Sequence, residues 1–95
     1  MAPAIQRITT PTIDVLETLA TTETPLPCGQ IAVRSRHQKT TVYKILERLE
    51  SNDWLKSDWL WPSDKPHARR PKRVYQLTPT GKAEAEAILY ENGKL

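Results

Sequence analysis

The chain has 95 residues, 38% of them hydrophobic, and a net charge of +3. That allows one domain with a single modest core, and excludes a two-domain enzyme built around a deep cleft. Cys28 is the only cysteine, so no internal disulfide is possible and no paired Cys/His zinc spacing occurs.

Charge is unevenly placed. Between Arg34 and Arg73 there are eleven Lys/Arg against five Asp/Glu, a net +6, and the rest of the chain carries −3. Such a concentration of positive charge is what a polyanion-binding surface requires. No stretch approaches the roughly 20 apolar residues of a membrane helix, and Met1 to Thr10 lacks the pattern of a secretory signal. The expectation is a soluble, cytoplasmic protein that makes no use of a membrane.

Residues 1–10 read as a loose, flexible arm. Thr10-Pro11 has the form of a helix start, with Thr as N-cap and Pro where its missing N–H does no harm. Ile13, Leu16, Leu19 and Ala20 then predict a helix over 11–22, stopped by Thr24-Pro25-Leu26-Pro27. A short second helix is expected over 28–36, with Cys28 read as a small buried side chain, and His37-Gln38 as a turn. The third helix, over 39–52, carries the clearest period: Val42, Ile45, Leu46 and Leu49 form one apolar stripe.

From Trp54 the period changes to that of a strand, with Leu55, Trp59 and Trp61 on one side and Lys56 and Asp58 on the other. The prolines from Pro62 to Pro71 open a loop, and Arg73 to Thr78 form a returning strand, giving a hairpin with a long basic tip. Trp59 is expected in the core beside Leu55 and Leu77. Trp61, at the root of the tip, reads either as core bulk or as lining a dimer contact or a small aromatic pocket. Thr78-Pro79 starts a last helix, about 79–92, whose small residues suit close packing across a two-fold axis; packing on its own domain is the alternative. The order predicts an α+β, mainly α, winged helix-turn-helix: three helices, a two-stranded wing and a C-terminal helix over 11–92.

Thr41-Val42-Tyr43-Lys44-Ile45-Leu46-Glu47-Arg48-Leu49-Glu50 resembles the T-V/L-Y-x-x-L-x-R-L-E stretch of PadR-like transcriptional regulators. Arg73-Val74-Tyr75-Gln76-Leu77-Thr78 with Thr80-Gly81 resembles their wing strand and following helix start. Either motif alone also suits other winged-helix families; both at this separation are more specific, and the resemblance covers about 12–90. It implies a homodimer that binds a palindromic operator, usually as a repressor. Thr40 stands where the family often has Gly, and about one helix follows the wing where most members carry a longer helical segment.

In a winged helix the polar face of the third helix meets the major groove, which makes Lys39, Thr40, Thr41, Tyr43 and Lys44 candidates for base or phosphate contact. The wing adds Lys65, Arg69, Arg70, Lys72 and Arg73, with His67 among them, whose mutual repulsion a phosphate backbone would relieve. Arg34 and Arg36 at the end of the second helix suit either the helix dipole or a phosphate, and Gln30 could add a donor. Double-stranded DNA is therefore the expected partner, no cofactor or metal is indicated, and whether a small-molecule effector binds is left open. An enzyme is not expected: His37 and His67 lie in basic loops, no carboxylate pair is spaced for acid–base work, and no Gly-rich phosphate loop is present. The alternatives are a protein-interaction adaptor of the same fold, and a single-strand binder, which would need exposed tryptophans.

Overall fold

A computed structural model describes residues 8–61 and 70–94. The element order is α1 (Thr10–Ala20), β1 (Leu26–Pro27), α2 (Cys28–Ser35), α3 (Lys39–Ser51), β2 (Leu55–Leu60), β3 (Lys72–Leu77) and α4 (Pro79–Glu91). The strands form one antiparallel sheet in the order β1-β3-β2. This is an α+β winged-helix fold, and every expected helix and both wing strands are present.

Four details differ from the sequence expectations. The N-cap of α1 is Thr9, not Thr10; its hydroxyl accepts from the Thr12 N–H at 3.4 Å. The buried face of α1 runs through Thr12, Val15, Leu16, Thr18 and Leu19, which turns Ile13 and Ala20 to its half-buried edge. Leu26-Pro27, expected only to interrupt the chain, forms a third strand, with Leu26 opposite Tyr75 and Pro27 opposite Val74. Trp59 is not a core residue: it is 61% exposed, whereas Trp54 at 6% supplies the aromatic bulk of the core.

The core gathers Val15, Leu16 and Leu19 of α1, Ile31 of α2, the α3 stripe Val42-Ile45-Leu46-Leu49, and Trp54, Leu55 and Tyr75. Ile8, at the end of the expected arm, packs against it, as does Leu77. The last helix folds back onto its own domain through Gly81, Ala85 and Leu89, leaving Ala83, Ala87 and Tyr90 exposed. Among the described residues, no helix is long and apolar enough to cross a membrane.

The joint between hairpin and α4 is tight. The Thr78 N–H donates to the Trp54 carbonyl at 3.0 Å. The Thr78 hydroxyl donates to the Asp53 carbonyl at 2.6 Å and accepts from the Gly81 N–H at 2.9 Å. A Cβ at Gly81 would collide with the backbone of Trp54. The Thr-Pro-x-Gly sequence therefore caps α4 and lets its first turn lie directly on the chain leaving α3.

Candidate nucleic-acid interface

The turn before α3 is set by backbone geometry. Arg36 ends α2 in the left-handed region, φ 63°, and the His37 N–H donates to the Ala32 carbonyl at 3.1 Å. This satisfies a carbonyl at the helix end and redirects the chain. The His37 Nε2 lies 2.8 Å from Asp14 Oδ2, fastening the turn to α1. α3 starts at Lys39, and burial of Val42, Ile45, Leu46 and Leu49 turns Lys39, Thr40, Tyr43 and Lys44 to solvent, with Thr41 half-buried at the edge. Tyr43 is thus an exposed aromatic, not a core-edge one.

An open groove of about 660 Å³ lies where α2, α3 and β3 meet. Arg34, Lys39, Lys72 and Arg73 line it together with Cys28 and Gln30, and none of its lining residues is a carboxylate. The start of the third helix and the root of the wing thus share one face. Both α2 and α3 begin beside this groove without a side-chain cap, so their first backbone N–H groups add partial positive charge to that of the four cations. Cys28 is half-buried, with its thiol 3.8 Å from the Lys39 carbonyl. Burial pushes the thiol pKa up, against the opposing pull of the Lys39 charge.

Arg73 has a second set of partners. Its Nη2 donates to Glu50 Oε1 and to Ser57 Oγ, both at 3.0 Å, and the Ser57 hydroxyl donates to Glu50 Oε2 at 2.6 Å. The guanidinium also lies 5.8 Å from the Trp59 ring centre and 5.6 Å from that of Tyr75. One arginine thereby stitches α3 to both wing strands. Burial raises the Tyr75 pKa, and the Arg73 charge opposes that rise. Pairing residues so distant in sequence, this network was not readable from the chain.

The remaining candidates divide. Lys72 and Arg70 are exposed at the outer end of β3. Arg34 donates to the Thr22 hydroxyl at 3.3 Å while still lining the groove. Arg36 lines a hollow with Asp14, Glu17 and His37 that Arg34 also borders, and it does not line the groove of Lys39 and Lys72. Lys65, His67 and Arg69 lie outside the described residues.

The fold is matched by comparison with known proteins. The model of the transcriptional regulator PadR-like family matches residues 30–87. The chain belongs to the PadR-like family. It carries the winged-helix fold found in regulators of transcription. Solved structures similar to this PadR-like chain include a cysteine-to-serine mutant of ZitR from Lactococcus lactis, with TM-score 0.70 and 18% identity over 99% of this chain and 59% of that one. A MarR family transcriptional regulator from Silicibacter pomeroyi has TM-score 0.68 and 23% identity over 87% and 51%. A structure described as a candidate DNA-binding protein from Ralstonia eutropha JMP134 has TM-score 0.62 and 21% identity, covering 86% of this chain and 98% of that one. These likenesses are of fold. The PadR-like chain spans only 51–59% of the ZitR and MarR-family structures named here. No curated protein sequence matches it significantly.

Proposed function

We propose that this chain binds duplex DNA sequence-specifically as a cytoplasmic homodimer, acting as a repressor on a palindromic operator. The observation that carries the reading is the groove in which Arg34, Lys39, Lys72 and Arg73 meet two uncapped helix starts with no carboxylate among its lining. With Arg73 paired to Glu50, Arg34, Lys39 and Lys72 remain as like charges converging on one surface, and a phosphate backbone relieves their repulsion. Lys39, Thr40, Thr41, Tyr43 and Lys44 read the major groove from the first turns of α3. Arg34, Arg70 and Lys72 hold phosphates on either side, joined by Lys65 and Arg69 of the wing. Arg73 contributes mainly by fixing the wing against α3. The exposed Ala83, Ala87 and Tyr90 face of α4 supports a subunit contact across a two-fold axis, since small residues allow helices to approach closely.

Selection of duplexes from a random pool, with the mass of the complex measured alongside, tests this. The expected result is a recovered sequence with two-fold symmetry, a complex holding two chains, and affinity that falls steeply with salt. Equal retention of all duplexes at moderate salt would refute the regulator reading.

A further inference from the structure

Trp59, Leu60 and Trp61 follow one another at the outer end of β2 and are 61%, 59% and 60% exposed. Successive side chains of a strand point to opposite faces, so three large apolar residues in a row leave this end apolar on both sides. Such a surface is unusual on a small soluble domain and marks a contact. A two-sided apolar end suits insertion into a narrow cleft better than docking on a flat partner surface.

The surroundings are cationic. In the ladder Leu60 stands opposite Lys72 and Trp59 opposite Arg73. Leu60 and Trp61 line a hollow with Arg34 and Lys72, and its lining contains no carboxylate. Apolar groups flanked by positive charge complement the DNA minor groove, where sugar and base faces lie between two rows of phosphates. Strand addition is disfavoured at this point, because the Trp59 N–H is already held by its neighbour Asp58 at 2.8 Å. Lys72 also lies in the groove that holds Lys39, so this end of β2 sits on the side from which α3 would approach DNA.

We infer that Leu60 and Trp61 enter the minor groove beside the site read by α3 as an apolar wedge, backed by Trp59 under Arg73, and bend the duplex by partly unstacking a base step. The inference rests on the DNA-binding reading and extends it from charge contacts to deformation of the DNA. Flexible pyrimidine–purine steps are then favoured where the wing lands, although no side chain hydrogen-bonds to them.

The test compares the parent chain with Leu60→Ala/Trp61→Ala on a short duplex from the selected pool carrying a donor and an acceptor dye at its ends. Both residues are exposed, so circular dichroism and the thermal midpoint should match the parent. The variant is expected to bind roughly tenfold or more weakly, with the salt dependence unchanged because no charge is removed, and to leave the duplex straighter. Equal affinity and equal bending would overturn the wedge and leave the DNA-binding reading intact. Weaker binding accompanied by loss of the dimer in sedimentation would overturn it too, making Trp61 a subunit contact. A parent that prefers a single-stranded oligonucleotide, or retains no duplex, would sink both readings.

Discussion

At the inner end of the hairpin, Trp54, Leu55 and Tyr75 are buried, and the backbone there is tied to Thr78 and Gly81 at the start of α4. At the outer end, Trp59, Leu60, Trp61 and Lys72 are exposed, and Lys72 lines a surface with Arg34 and Lys39. Arg73 belongs to both, lining the outer groove while bonded to Glu50 and Ser57. The two strands thus differ along their length: burial and backbone bonds lie where they leave the body, and the proposed DNA contact lies where they project from it. Identical residue types answer to position, as the tryptophans at 54 and 59 demonstrate.

The strongest way to break this comparison is to truncate one tryptophan at a time. Trp54→Ala should cost about 3–5 kcal/mol in denaturant unfolding, a large share of the stability of a domain this size. Trp59→Ala should cost about 1 kcal/mol or less, chiefly its contact with Arg73. Similar losses for the two would mean that the hairpin is not divided as described. Next in size, Lys39→Ala/Lys72→Ala should lower duplex affinity about a hundredfold at moderate salt and reduce the salt slope by about two. Its denaturation midpoint should match the parent, as expected for exposed side chains. Arg73→Gln sharpens the boundary: unfolding should become easier by about 1 kcal/mol or less, since its ion pair with Glu50 is partly solvated, while affinity falls less than for Lys72→Ala. A larger affinity loss than that of Lys72→Ala would place Arg73 on the phosphate instead. The smallest effect concerns Cys28. With its thiol pKa raised by burial, alkylation by iodoacetamide near neutral pH should be slower than for a free cysteine, and slower still with duplex present. No protection by duplex would argue that the groove is not the contact surface.

The helices and wing strands were legible because each carries its own period and punctuation. Val42, Ile45, Leu46 and Leu49 form a stripe that needs no tertiary information, and Pro11 and Pro79 announce helix starts. β1 was not legible: two residues, one of them proline, have no pattern, and they become a strand only by pairing with Val74 and Tyr75. The phase of α1 was misread because Val15, not Ile13, completes a face that includes Thr12 and Thr18; the Thr18 hydroxyl is satisfied by the Asp14 carbonyl at 2.9 Å and is therefore tolerated inside. Alternation along β2 was read in the right phase, but alternation does not say where a strand outruns the core. Leu55 lies over the core, whereas Trp59, four residues on, has passed beyond it. The positive run was visible as composition. That Glu50 neutralises one member of it, and that Arg36 lines a hollow with Asp14 and Glu17 and not the groove of Lys39, depended on contacts between distant segments.

The Thr78 joint has a mechanical consequence. Because α4 rests on the Trp54 backbone with no side chain at Gly81 to act as a spacer, and Thr78 bonds both Asp53 and Trp54, the helix and the base of the hairpin have no slack between them. The inner ends of the six-residue strands, each about 20 Å long, are thus held to α4, while the Arg73 bonds to Glu50 and Ser57 hold the same strands to α3. In the proposed dimer, a subunit contact on the last helix is thereby coupled through Thr78 and Gly81 to the base of the hairpin proposed to meet DNA.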